Sequence, residues 1–209
     1  MFPNECYEYT IATESDRDEV RDALASYFYP EEPLTAGHSE GPAVTVDDME
    51  NALSFLVRGT VVLARTTADK LVVGLSIGSP STYAINVPIR TEKFADIVTF
   101  LELLNERASR GSFQRPSESY TVHMLAVHPS HRGQSIGRRL VEEQISLARR
   151  RWPSCGVVTA EATSAGSLRV MQRLGMREIA RMRFDEYRNA RREQVFHGIG
   201  EVVSLAMNL

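Results

Sequence analysis

Met124-Leu125-Ala126-Val127-His128-Pro129-Ser130-His131-Arg132-Gly133-Gln134-Ser135-Ile136-Gly137-Arg138-Arg139-Leu140 decides the reading of this chain. An apolar run, Tyr120–Val127, reads as a strand stopped by His128-Pro129. A turn dense in small residues follows and opens directly into a helical pattern. Such a turn lines up several backbone N–H groups at a helix N-terminus, where nothing within the helix accepts from them. That is a ready site for phosphate oxygens. Gly133 and Gly137 leave room for close backbone approach, and the arginines add charge without filling the turn.

Working outward, Ile136/Leu140/Leu147 and Gly137/Val141/Ile145/Ala148 form adjacent rows on one helix face from Ile136 to Arg151, ended by Pro153. Upstream, residues 7–12 alternate as a short strand. A helix is expected from Ser15, whose Ser15-Asp16-Arg17-Asp18 resembles a capping box, with Val20, Leu24 and Phe28 along one side. Tyr29–Val44 is rich in Pro, Gly, Glu and Ser and reads as a loop, followed by a helix over Thr45–Arg58 ending at Gly59. Thr60–Arg65 and Leu71–Gly78 form a hairpin-like pair of strands. A helix spans 92–108, a strand Val157–Glu161, a short helix Ser164–Leu174 closed by Gly175, a strand Met176–Phe184 and a last strand Val202–Leu209. Residues 185–198 read as a loop. The order β-α-α-β-β-α-β-α-β-α-β-β has no repeat or linker, so one domain over 1–209 is expected.

The formal net charge of −3 argues against a general polyanion binder, which needs a basic surface. Arg149-Arg150-Arg151 closes a helix, where cations complement the C-terminal dipole. Two cysteines, Cys6 and Cys155, are no disulfide framework and fit a reducing compartment. The opening residues carry early carboxylates rather than the apolar stretch of a signal peptide. No apolar run approaches the ~18 residues of a membrane span. A cytoplasmic protein, without nucleic-acid or membrane partners and monomeric, is the expectation.

Arg132-Gly133-Gln134-Ser135-Ile136-Gly137 resembles the acetyl-CoA signature Q/R-x-x-G-x-G/A of the GNAT superfamily, departing from it at Ser135, where glycine is usual. Leu125-Ala126-Val127-His128-Pro129 matches the superfamily's lead-in. Ser167-Leu168-Arg169-Val170-Met171-Gln172-Arg173-Leu174-Gly175-Met176 matches its helix-then-"LGF" ending. Pro30-Glu31-Glu32-Pro33-Leu34 is similar to the D/E-E-P-L segment of insect arylalkylamine N-acetyltransferases, and Arg181–Tyr187 resembles the same group. The resemblance covers about Val61 to the C-terminus well and the N-terminal third less well. It implies an α/β fold of GNAT type: a mixed twisted sheet, helices on both faces, and a splayed central strand pair (120–127 and 157–161). It also implies acetyl-CoA as co-substrate, without a metal. Leu125, Ala126, Val127, Arg132, Gly133, Gln134, Ser135, Ile136, Gly137, Arg138 and Ser167 would hold it, Leu125 and Val127 through backbone groups facing the pantetheine arm.

The implied activity moves acetyl from acetyl-CoA to a small primary arylalkylamine of the dopamine, tyramine, octopamine or serotonin type, by direct transfer in a ternary complex. Polyamine, agmatine or amino-acid acylation stays open, with Glu40, Asp47 and Asp48 as acidic candidates. So do peptide or protein acetylation and a non-catalytic acyl-CoA-binding module. An alkylammonium with a pKa near 10 is only about 0.1% free amine at pH 7, some 4 kcal/mol uphill, so a base is needed. The resemblance nominates Glu32. Extended geometry before Pro33 sends Glu31 and Glu32 to opposite sides of the chain. His123 is the second candidate, matching one histidine of a proton-conducting pair in vertebrate relatives, although the other position is Thr121 and a strand histidine is also ordinary structure. Thr163 and Ser167 have the spacing of two serines implicated in transfer in the insect enzymes; helix capping explains them equally. Met171 stands where many relatives carry an acidic tyrosine. Tyr27, Phe28 and Tyr29 offer an aromatic lining. His128-Pro129-Ser130-His131 lacks the partners of a metal site.

Overall fold

Period-two alternation builds one seven-stranded sheet in the order β1-β2-β3-β4-β5-β7-β6, in a computed structural model that describes residues 6–83, 87–111 and 118–209. The strands are β1 (Tyr7–Ile11), β2 (Val61–Thr66), β3 (Val72–Pro80), β4 (Ser119–Val127), β5 (Val157–Ala162), β6 (Arg177–Arg183) and β7 (Glu201–Asn208). Only β4 and β5 run parallel; every other neighbour pair is antiparallel. The opening residues 1–5 of the N-terminal reading lie outside the described residues.

Helices cover both faces. Val62, Ala64 and Val73 point to one side and meet Ile136 and Leu140 of α5 (Ile136–Arg151). Val61, Leu63, Leu75 and Ile77 point to the other and meet α1 (Arg17–Ala23) and α3 (Val46–Ser54). The same alternation divides β7: Val203 and Leu205 join the layer of α6 (Ala165–Arg173), while Val202 joins the layer of α4 (Glu92–Arg110). A Cβ at Gly74 would come within 3.1 Å of Ile136 and Leu140, so glycine there lets α5 lie close on β3.

Three local expectations are corrected. The cap before α1 is Thr13, whose N–H bonds the Asp16 carboxylate at 2.8 Å, rather than Ser15. The 29–44 segment is not simply a loop: a tight turn at Tyr29–Glu31 leads into a single-turn helix, α2 (Pro33–Ala36). Pro33 suits the first helical position and Glu32 caps it. The helix after Thr45 stops at Ser54, and residues 55–59 unwind through turns to Gly59 at φ +63°. Further along the chain, the 185–198 segment opens with a short turn of helix at Phe184–Glu186.

The segment carrying α2 is tied to the chain's end. Ser39 N–H donates to the Val195 carbonyl at 2.7 Å and His197 N–H to Gly37 at 2.8 Å. His38 Nε2 meets Asp96 Oδ2 at 3.2 Å, and the buried Tyr187 hydroxyl donates to Asp96 Oδ1 at 2.7 Å. Asp96 on α4 thus satisfies two buried partners from distant segments. Asp96→Ala should lower unfolding free energy by about 2 kcal/mol or more, because both partners lose their acceptor. Urea denaturation checks this; a loss within ~0.5 kcal/mol would contradict it.

Candidate active site

The sheet opens where the decisive stretch lies. β4 pairs with β5 only from Ser119↔Val157 to Val122↔Ala160. Beyond that β5 continues on β7, to Ala162↔Val203, and β4 continues on β3, to Val127↔Gly74. The register on β3 skips His123, since Ile77 faces Met124 while Gly78 faces Val122. This bulge on β4 sits one residue past the last β4–β5 pair and turns the strand away. Thr121, one residue before it, is buried and bonds Thr159 Oγ1 at 2.9 Å across the closed part of the fork. That accounts for a small hydroxyl where the vertebrate pattern has a second histidine.

Into the fork opens a cleft of about 1130 Å³. One wall comprises β4 from Thr121 to Val127, the turn at 131–133, the start of α5 and the face of α6. Leu125, Ala126, Val127, Arg132, Gly133, Ser135, Ile136, Gly137 and Arg138 all line it, as do Thr163 and Ser167. Gln134 is exposed and does not line it. Gly133 adopts φ +80°, the left-handed region that favours glycine. Ser135, the cap of α5, sits at φ +63° and ψ +11°. The signature's departure therefore falls on a position that the fold still holds in a glycine-like conformation. Arg132 folds back on the turn: its Nε donates to the Val127 carbonyl at 3.1 Å and its guanidinium to Glu31 at 2.8 Å.

The other wall comes from the turn after α1, from α2, α3 and α4. Tyr27, Phe28 and Tyr29 all reach it, set by a wide five-residue turn that continues α1. Phe55 lies across from His123, ring centres 5.4 Å apart, and Tyr83 adds a further ring. Glu32 is extended as expected before proline, and its two carboxylate oxygens accept from the N–H groups of Leu34 at 3.1 Å and Thr35 at 2.6 Å. Glu31 and Glu32 both border the cleft, which corrects the division into one inward and one solvated residue: Glu31 is exposed but spends its charge on Arg132.

His123 Nε2 meets Ser79 Oγ at 2.8 Å. Ser167 belongs to a capping box with Ser164; its hydroxyl lies 3.0 Å from Ser164 Oγ and donates to the Ser164 carbonyl. Met171 fills the tyrosine position, buried. Of the two turn histidines, His131 Nδ1 lies 3.0 Å from the Tyr7 hydroxyl and His128 Nδ1 accepts from Ser130.

Sequence reading missed three lining groups, Arg169, Arg173 and Glu102, and of its acidic candidates Glu40, Asp47 and Asp48 only Asp48 lines the cleft. Arg169 and Arg173 on α6 join Arg132 and Arg138, so the α5–α6 side carries four arginines. Glu102 on α4 and Asp48 on α3 join Glu32, so the opposite side is acidic. Burial pushes the Asp48 carboxyl up to about 7. Glu102 and Arg173 could have been found from their helical spacing to Val98 and Val170.

Ser135→Gly should raise unfolding free energy by up to ~1 kcal/mol, since a side chain in left-handed backbone is strained and glycine is not. Thermal melts check this. A fall in stability would mean that the Ser135 side chain makes a contact worth more than the strain.

Against known proteins, residues 96–176 match the model of the Acetyltransferase (GNAT) family. That span runs from α4 through β4, the turn, α5, β5 and α6. A 64-residue stretch is 39% identical to an L-methionine sulfoximine/L-methionine sulfone acetyltransferase of Salmonella typhimurium, covering 30% of this chain and 37% of that enzyme. The chain thus spans little more than a third of that curated relative. Among solved structures, a mosquito arylalkylamine N-acetyltransferase like 5b superposes with a TM-score of 0.88 at 29% identity, over 97% of this chain and all of that one. A Drosophila melanogaster polyamine N-acetyltransferase that forms N-acetylagmatine superposes with a TM-score of 0.82 at 25% identity, over 97% and 100%. Residues 96–176 thus match the GNAT acetyltransferase family, and the forked sheet is shared with insect amine acetyltransferases along nearly the whole length of this chain.

Proposed function

We propose that this protein transfers the acetyl group of acetyl-CoA to the primary amine of a small arylalkylamine. The observation that carries this reading is the forked cleft, basic and rich in N–H donors on one side, aromatic and acidic on the other. The N–H groups opening α5, with Arg132 and Arg138 beside them, suit a pyrophosphate. The edge of β4 past Val122, unpaired with β5, suits the amides of a pantetheine arm. Acetyl-CoA supplies the acetyl group on a thioester. The rings of Phe28, Phe55 and Tyr83 suit the aryl end of the amine.

The amine arrives as an ammonium, and Glu32 draws off its proton, through water because both carboxylate oxygens are already engaged. The freed lone pair attacks the thioester carbonyl, the C–S bond breaks, and the second amine proton leaves with the CoA sulfur as thiol. The side chain at 171 is a methionine, so this proton comes from a different group or directly from the amine.

A second reading, an agmatine or polyamine acceptor, is favoured by Asp48 and Glu102, which give the cleft more carboxylates than one ammonium needs. Thiol release measured over a panel of dopamine, tyramine, serotonin, agmatine and spermidine separates the two. No thiol release with any of these amines would leave a non-catalytic acyl-CoA-binding module.

Glu32→Gln should lower kcat by on the order of 10²-fold, with acetyl-CoA affinity nearly intact. Glu31→Ala should leave kcat near wild type and change acetyl-CoA affinity instead, because it frees Arg132. Steady-state kinetics and calorimetry check both. Equal kcat losses in the two variants would contradict the assignment.

A further inference from the structure

Asp48 sits in the third position of α3, and two of its neighbours on the same face, Asn51 and Phe55, also line the cleft. Its carboxyl is buried and does not cap the helix; Thr45 Oγ1 does that, accepting from the Asp48 N–H. Instead Oδ1 accepts from the Tyr29 hydroxyl at 3.1 Å. One turn on, Asn51 Oδ1 is buried with no hydrogen-bond partner. A buried acceptor without a donor is costly, and it faces a cleft whose expected occupant is a donor. Tyr29 is two residues from Glu31 and three from Glu32, so a single turn connects the Asp48 carboxyl to the carboxylates that border the cleft.

We infer that Asp48, held by Tyr29, is a second carboxyl group of the amine site and the final acceptor of the proton that Glu32 draws from the substrate ammonium. This rests on the acetyl-transfer reading. The step balances: the ammonium N–H bond breaks, its proton moves through water and Glu32 to Asp48, and the neutral amine keeps the electron pair that attacks the thioester. The protonated Asp48 returns its proton to solvent after the product leaves.

The division of labour follows from surroundings. Glu32, with two N–H donors on its oxygens, is held as a charge that attracts an ammonium. Asp48 is where the proton comes to rest. Burial raises its affinity for a proton; the Tyr29 hydroxyl opposes this, Glu32 and Asp47 add to it, and Lys93 opposes it. Those are the titratable groups facing it from its own helix, from the turn after α1, from the cap of α2 and from α4. Tyr29 itself stays a donor, because burial and then the Asp48 charge push its hydroxyl well above the ordinary range. Lys93 is already committed to the carbonyls of Gly41 and Ala43.

Because the acceptor must be ionised to work, kcat/KM should rise with pH through about 7 and level off above it. Tyr29→Phe removes a donor that favours the ionised form, so the rise should move to higher pH. Asp48→Asn keeps an acceptor for Tyr29 but cannot take a proton; its rise near 7 should vanish and kcat should fall by about tenfold or more with acetyl-CoA affinity unchanged.

A second readout needs no turnover. Tyramine or agmatine is titrated into CoA-saturated protein by calorimetry in buffers of different ionisation enthalpy. Wild type should release a fraction of a proton per amine bound near neutral pH and almost none at about pH 8.5, where Asp48 is already ionised. Asp48→Asn should release none at either pH. Equal release from Asp48→Asn and wild type, or an unmoved pH profile in both variants, overturns the inference and leaves acetyl transfer standing. If neither amine binds the CoA-saturated protein, the acetyl-transfer reading falls and the inference with it.

Discussion

The parting of β4 from β5 after four residue pairs is the constraint on which the rest of the site depends. Both strands are anchored on their far sides, β4 along β3 and β5 along β7, so neither can close the gap. The bulge at His123 sets where the parting begins, and the hydroxyl pair Thr121–Thr159 pins the rung just before the last closed one. An internal strand edge inside a sheet would be expensive if it stayed dry, since its N–H and C=O groups need partners. On the proposed reading a ligand completes the sheet at the fork, and the N–H groups opening α5 would hold its phosphates.

The charge of the cleft follows from which elements reach it. The α5 and α6 surfaces face the fork with arginines, while α2, α3 and α4 face it with carboxylates and rings. That division suits the proposed reading, with a polyanionic co-substrate drawn to one side and a cationic amine to the other. Arg132 bridges the two sides through Glu31, so the basic turn and the acidic segment around α2 are mechanically joined. The far end of that segment is fixed through His38 and Asp96 to α4, which keeps Glu32 in place without any regular structure between Gly37 and Thr45.

Elements with strong periodicity were legible in the sequence: α5 from its two apolar rows, the β2–β3 pair, and the order of strands and longer helices. The glycine-rich turn into α5 was legible because glycine, proline and arginine each have a backbone or charge reason to be there. What was not legible depends on contacts between distant segments. Nothing local marks Thr13 as the cap in place of Ser15, since both are good caps and only the reach of Asp16 chooses. Glu31 looked like a solvated carboxylate because Arg132, its partner, is 101 residues away. Asp48 was one of three acidic candidates, and its place at the cleft rather than that of Glu40 or Asp47 depends on Tyr29, which folds over it from a distant turn.

Amide hydrogen exchange of residues 123–127, followed with and without acetyl-CoA, tests the central claim most directly. If the co-substrate takes the place of the missing neighbour strand, exchange at the cleft-facing amides among Leu125, Ala126 and Val127 should slow by about tenfold or more on binding, together with those opening α5. Acetyl-CoA binding that leaves both sets of amides exchanging at their free rates would contradict it, because the fork would then be serving some other purpose.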